Sequence, residues 1–296
     1  MSVDPFEIGQ ATRLGNRRTN QDRCGAVQSV EYALLTLGDG MGGHPRGEMA
    51  AQILVDVAEK YFYRESKPVS SPSEFLKKIF HQAHKEIQSF GFAQTPAIDP
   101  RTTGVSVLIQ SGMVHWVHVG DSRFYLFRKG KLFTRTVDHS YVEQLRQDGV
   151  ISDEERETHP QRHYVTRCLG GAASPPLVTF GESARLLDGD VLLLCSDGFW
   201  AHIEEDEMAF ALRTDEALED TIKELARAAE VSGHPESDNV TAIAMRWRDQ
   251  SRWITPISTT ASSDTEGHAS GKKSDFLNTA IDELTQAIDV FETKIK

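Results

Sequence analysis

Apolar and polar positions divide the chain into segments of distinct texture. Tyr32 to Leu37 (YALLTL) is a short, unbroken apolar run closed by Gly38-Asp39-Gly40, the pattern of a strand buried on both faces with a sharp exit. From Glu48 to Tyr63, apolar residues recur at Ala51, Leu54, Val55 and Ala58, a helical spacing. Ser71-Pro72-Ser73-Glu74 then reads as the start of a second helix running to about Phe90, with Ser71 as cap, Pro72 in the first turn and Glu74 completing a capping box. Between Thr103 and Thr136 the runs GVSVLI, MVHWVHV, RFYLFR and KLFTRT alternate with glycine-containing turns and predict a meander, with Lys129-Gly130 at a tight hairpin. Asp138 to Pro176 is polar and rich in breakers, and reads as an irregular insertion over the sheet.

Strand character returns at Leu177–Phe180, Ala184–Leu187 and Val191–Cys195; one or two helices between Glu204 and Val231 precede a last strand at Val240–Arg246. Strands in antiparallel groups with helices inserted in pairs predict an α+β architecture of stacked sheets flanked by helices, not a parallel βαβ sheet. The expected domain spans residues 1–253, with 138–176 as a flap-like insertion. Residues 254–273 have a linker's Ser, Thr, Gly and His composition. In 274–296, Leu277, Ile281, Leu284, Ile288, Phe291 and Ile295 recur at intervals of 4, 3, 4, 3 and 4, an amphipathic heptad helix. It can dock on its own domain, bind a partner or self-associate.

Charge narrows the function. A net charge of −12, from 32 basic and 44 acidic residues, argues against a dedicated nucleic-acid binder. Three cysteines without CxxC spacing argue for a reducing compartment. The first residues show no signal-peptide pattern, and no apolar run approaches the ~18 residues of a membrane span. A cytoplasmic protein is expected.

The candidate chemistry lies where strands end. LLTLGDG stops at Asp39 and LLLCSDG at Asp197, and neither Asp-Gly pair is followed by the returning strand that a hairpin turn needs. VHWVHV leads into Gly120-Asp121-Ser122-Arg123, Asp238-Asn239 stands directly before the strand VTAIAM, and Asp22 precedes the first strands. Carboxylates at buried strand ends are unfavourable without cations, and oxygen-only ligands suit Mg²⁺ or Mn²⁺. The alternative is a set of separate Asp caps and turns. Gly38-Asp39-Gly40-Met41-Gly42-Gly43 also fits the dinucleotide fingerprint G-x-G-x-x-G, but a second helix stands where that motif needs a strand, and Asp39 would repel a pyrophosphate. His81 and His84, three residues apart on a helix, read as packing or solvated residues.

GNRRTNQDR (Gly15–Arg23), GDGMGGHPRGE (Gly38–Glu48), TTG (Thr102–Gly104), HVGDSRFYLF (His118–Phe127), TVDHS (Thr136–Ser140), HPQRHYVTRCLG (His159–Gly170), LLLCSDGFW (Leu192–Trp200) and SDNVTAIAM (Ser237–Met245) occur in this order. In these segments the chain resembles the bacterial PPM (type 2C) metal-dependent Ser/Thr protein phosphatases. The resemblance implies an αββα four-layer sandwich of two antiparallel sheets flanked by helix pairs, with the metal site at the sheet edge. It implies that Asp39 bridges two Mn²⁺ or Mg²⁺ ions, with Asp197 and Asp238 on the first metal and the Gly40 carbonyl on the second. Asp22 would act partly through water, Asp121 would hold a third, weaker metal, and Arg17 would grip the substrate phosphate.

The implied reaction is in-line attack on phosphoserine or phosphothreonine by a hydroxide bridging the two ions, without a phosphoenzyme, so that Cys168 and Cys195 read as core residues. The implied partners are phosphorylated proteins, including a Ser/Thr kinase and its targets. Two positions depart from the family. Gln21 stands where some members have a second-metal Glu, and Met41 where some have a proton-donating His, which leaves a metal-bound water, or a histidine such as His44 or His139, as candidate donors. The alternative function is a catalytically weak binding module that recruits partners.

Overall fold

A computed structural model describes residues 6–29, 31–171, 176–214 and 216–248. The expected linker (254–273) and heptad helix (274–296) lie outside the described residues. In chain order the elements are β1 (Phe6–Arg13), β2 (Asp22–Ser29), β3 (Tyr32–Asp39), α1 (Gly47–Arg64), α2 (Pro72–Phe92), β4 (Arg101–Thr102), β5 (Gly104–Gln110), β6 (Met113–Val119), β7 (Arg123–Arg128) and β8 (Lys131–Arg135). They continue with α3 (Tyr141–Gln147), α4 (Asp153–Thr158), β9 (Leu169–Gly170), β10 (Thr179–Phe180), β11 (Ala184–Arg185), β12 (Val191–Cys195), α5 (Asp197–Trp200), α6 (Glu205–Leu212), α7 (Leu218–Gly233) and β13 (Val240–Trp247).

Two antiparallel sheets stack face to face. One has the order β1-β13-β12-β7-β8, and the other β10-β6-β5-β3-β2 with β11 also on β6. Alternation along each central strand sorts its side chains into three cores. Leu35 and Leu37 of β3, Val105 and Val107 of β5, Phe124 of β7 and Leu192 and Leu194 of β12 fill the space between the sheets. Leu34 and Leu108 point the other way, against Leu54, Phe62, Ile79 and Phe80 of α1 and α2. Leu193 and Cys195 meet Met208, Leu212, Ile222 and Ala226 of α6 and α7. Central strands are therefore covered on both faces, which is why they read as unbroken apolar runs. The layers are helix pair, sheet, sheet, helix pair: the expected αββα sandwich.

Four expectations change. The run β5 to β8 is not one meander, because β5 and β6 belong to one sheet and β7 and β8 to the other. The chain crosses at Gly120–Ser122, where Gly120 takes φ +97°, and a Cβ there would lie 2.6 Å from Thr103. The strand order also begins earlier than expected, since β1 precedes Asp22. Ser71 starts α2, but its side chain accepts no capping hydrogen bond. The capping box forms instead at Ser152 and Glu155, inside the stretch read as irregular. Lys129 and Gly130, both at positive φ, make the expected hairpin turn between β7 and β8. Among the described residues no helix is long and apolar enough to cross a membrane.

Candidate metal centre

Strand pairing brings the acids to one end of the sandwich. Asp22 opens β2 directly opposite Asp39, the last residue of β3. In the other sheet β12 ends at Cys195 beside Ala242, so Asp197 and Asp238 fall on the same edge. Asp121 lies in the crossing that joins the two sheets. Asp22 and Asp121 are buried, while Asp39, Asp197 and Asp238 are half-buried.

Each of the four innermost acids holds its proton more tightly than an ordinary carboxyl. Burial pushes Asp22 up to about 7, against hydrogen bonds from Ser196 and Thr241, and the charges of Asp197 and Asp238 add to the rise. Asp39 is raised well above the carboxylate range by burial and then by Asp22, Asp197, Asp121 and Asp238. Asp121 is raised by burial, Asp197 and Asp138. Burial and Asp238 raise Asp197, against the charge of His163 and a hydrogen bond with Asp39. The Ser196 hydroxyl donates to Asp22 Oδ2 at 2.8 Å, but Oδ1 is buried with no hydrogen-bond partner.

A buried, unpartnered carboxylate oxygen amid mutually repelling acids fits a hard cation bound through oxygen. Among the described residues, no three His, Cys, Asp or Glu side chains close on a single point as a ready-made metal cage. Carboxylates that did so without a cation between them would repel one another strongly.

The backbone around these acids is tightly held. Thr103 N–H and Thr102 Oγ1 both donate to the Asp39 carbonyl at 2.9 Å, and Asp39 N–H donates to Thr103 Oγ1 at 3.2 Å. Gly40 N–H donates to the Gln21 carbonyl at 3.1 Å, and a Cβ at Gly40 would lie 2.4 Å from the backbone of Gly47, so only glycine fits. Asn239 ties the two sheets: its Oδ1 accepts from Gln21 N–H at 2.8 Å and its Nδ2 donates to the Leu14 carbonyl at 2.8 Å. Trp200 Nε1 donates to the Asp121 carbonyl at 3.0 Å. The Arg123 guanidinium lies 3.4 Å over the Trp200 ring and makes a two-pronged pair with Asp138 at 2.8 and 2.7 Å. Ser196, Asn239, Trp200 and the Arg123–Asp138 pair are supports that sequence reading missed. Only their place inside the quoted segments pointed to them.

Arg17 lies at the rim, half-exposed, with its guanidinium 2.7 Å from Asp238 Oδ2. The neutral Gln21 amide is wedged between Gly42 and Gly47, its Oε1 3.3 Å and its Nε2 2.8 Å from where their Cβ atoms would be. His44 Nδ1 stands 3.9 Å from Asp99, which also accepts two hydrogen bonds from Arg101. His139 does not fit the role of proton donor. Gly120 N–H donates to its Nδ1, so the ring proton lies on Nε2, 2.8 Å from Thr179 Oγ1. Burial and the neighbouring His118 and Arg167 push it down to about 3, so it is neutral at ordinary pH. Burial raises the Cys168 and Cys195 thiols; Cys195 lies in the core as expected, whereas Cys168 is half-buried beside Arg101 and belongs to none of the three cores. His84 accepts from Gly170 N–H inside the core, a packing role.

Comparison with known proteins agrees with this construction. A family model described as Protein phosphatase 2C matches residues 10–243. The chain belongs to the protein phosphatase 2C family. The serine/threonine protein phosphatase PstP of Mycobacterium tuberculosis is 33% identical over 210 residues, which cover 71% of this chain but 39% of that protein. The chain thus spans about two-fifths of that relative's length. Protein phosphatase PhpP of Streptococcus pneumoniae is 31% identical over 248 residues, 82% of this chain and 99% of that protein. Among solved structures, the catalytic domain of PstP in complex with two manganese ions is similar with a TM-score of 0.69 and 28% identity, over 82% of this chain and 99% of that one.

Proposed function

We infer that this protein removes phosphate from phosphoserine and phosphothreonine of other proteins, with Mn²⁺ or Mg²⁺ held by Asp22, Asp39, Asp121, Asp197, Asp238 and the Gly40 carbonyl. One observation carries the reading: burial and neighbouring acids raise the proton affinity of Asp22, Asp39, Asp121 and Asp197 at a sheet edge, and one buried Asp22 oxygen has no partner. The cations, when bound, neutralise phosphoryl charge and make water nucleophilic near neutral pH. The chain's own residues do the rest. Asp39, clamped by Thr102 and Thr103, faces both sheets' acids. Arg17 leaves Asp238 for the phosphoryl oxygens, where its planar fork matches two of them. Trp200 and Arg123 hold Asp121 in place from behind. The relatives' names as phosphatases support this reading over a binding module that only recruits partners. A Ser/Thr kinase and its targets are the proposed source of substrate, inside the bacterial cytoplasm.

Two measurements test the assignment. Saturating Mn²⁺, at a hundredfold its dissociation constant, should stabilise the protein by about 2.7 kcal/mol, a thermal shift reversed by a chelator. A phosphothreonine peptide should be hydrolysed only when Mn²⁺ or Mg²⁺ is present. Metal-independent turnover, or no turnover with either ion, defeats the reading.

A further inference from the structure

The outer face of the first helix pair carries a concentration of positive charge that the metal centre does not use. Two adjoining hollows of about 260 and 220 Å³ lie along α1 and α2 and share Tyr61 and Gln82 in their walls. Lys77, Lys78 and Lys85 line the first, and Lys60 and Arg64 the second. Two acids, Glu65 and Glu74, share these walls with the five bases, Glu74 held by Lys77 at 3.6 Å, and a third, Glu86, accepts from the Gln82 amide at 2.8 Å. This happens in a chain whose net charge is −12. Nothing in the packing demands it, because Leu54, Phe62, Ile79 and Phe80 of the same helices supply the core contacts. Lys60, Arg64, Lys78 and Lys85 all stand in solvent.

The groove has a fixed relation to the centre. Gly47 at the start of α1 packs on Gly40, so α1 points away from the acids. Lys60 and Arg64 lie 13 and 17 residues further on, about 20–25 Å along the helix at 1.5 Å per residue. An extended chain covers that distance in about seven residues.

We propose that this groove is a docking site for an acidic segment of the phosphoprotein substrate, at least about seven residues from the phosphorylated side chain. The proposal rests on the phosphatase reading for its purpose, but not for its detection. A short acidic peptide fits better than an extended polyanion. The positive charge is confined to two small hollows, and a nucleic acid or an anionic membrane would also meet the surrounding negative protein. Docking here holds substrate near the centre without touching the reacting atoms, so it acts on KM and leaves kcat unchanged.

The test uses the full chain with Mn²⁺ and a phosphothreonine peptide whose four glutamates begin about eight residues from the phosphothreonine. Its controls are a peptide with serines in place of the glutamates, and one with the glutamates directly beside the phosphothreonine. The distal acidic peptide should show a KM roughly tenfold below both controls at equal kcat, as several exposed ion pairs together provide. The advantage should vanish in Lys78→Glu/Lys85→Glu, shrink in Lys78→Ala/Lys85→Ala, and fade as salt rises. Fluorescence anisotropy of the unphosphorylated acidic peptide supplies a readout free of hydrolysis. Binding without turnover would sink the phosphatase reading and keep the groove. Equal KM for all three peptides, or an advantage that survives in Lys78→Glu/Lys85→Glu, overturns the proposal. So does tighter binding of duplex DNA or phosphatidylserine vesicles than of the peptide.

Discussion

Asp138 and Asp190 are buried about as deeply as Asp22 and Asp121, yet their surroundings are opposite in kind. Asp138 receives both prongs of Arg123, and Asp190 receives Arg128 at 2.7 Å together with the Leu187 N–H at 2.9 Å. Asp22, Asp39, Asp121 and Asp197 face chiefly other acids, Asp238 among them. The first kind is a closed electrostatic account that pins loops to strands. The second is an excess of negative charge that the fold tolerates only with protons or cations in place. Burial alone thus says little about an acid's role; what faces it decides.

The largest separation between the two kinds should come from Asp39→Asn. Losing the central acid should lower kcat/KM by at least about 100-fold, the usual cost of one group that stabilises transition-state charge. The same change should raise the melting temperature of the chelator-treated protein at neutral pH, since it relieves repulsion. A fall in melting temperature would make Asp39 another structural acid and erase the distinction.

Next in size is Asp138→Asn, which strands a buried guanidinium and should cost about 3–5 kcal/mol of stability by urea unfolding. The double change Arg123→Leu/Asp138→Leu should recover much of that loss, because removing both charges leaves nothing unpaired. Retained stability in Asp138→Asn would break the comparison from its other side.

The smallest effect is a pH dependence built from two opposing contributions. Asp22 titrates at about 7 when folded, against 3.8 ordinarily, so the folded state holds its proton more tightly. The stability this gives is full below pH 4 and is lost as pH rises through 7. His139 is held down to about 3 from an ordinary 6.5, so its contribution is full above pH 6.5 and is lost as pH falls towards 3. Between about pH 4 and 6.5 the two contributions change in opposite directions and nearly cancel, so thermal melts of metal-free protein should be almost flat there. Asp22→Asn should leave stability rising with pH across this window, His139→Gln should leave it falling, and saturating Mn²⁺ should remove the falling contribution alone.

Much of this was readable from the chain because central strands covered on both faces leave unbroken apolar runs, and Asp39 and Asp197 stand where two such runs stop. β1 and β2 were not readable. They are edge strands with mixed faces, and FEIGQATR and DRCGAVQS carry no clear period. The crossing at Gly120–Ser122 was missed because sequence shows a turn but not which sheet the next strand joins. The box expected at Ser71 and Glu74 failed because Glu74 turns to Lys77, whereas Ser152 and Glu155 satisfy one another. Asn239 and Ser196 act through partners more than 170 residues away, a relation that local pattern does not contain. The Arg17–Asp238 pair is of the same sort.

The chain passes between the two large sheets four times: through residues 14–21, at Gly120–Ser122, through residues 136–178 and through residues 186–190. The first three passages leave and enter the sheets at the acid end, and the fourth lies at the opposite end. The covalent chain thus acts as a triple stitch where electrostatic pressure would otherwise prise the sheets apart, and as a single stitch where Arg128 of β7 already donates to the Arg185 carbonyl of β11. For anyone re-threading this fold by circular permutation or inserting a reporter, the fourth passage is the seam to cut.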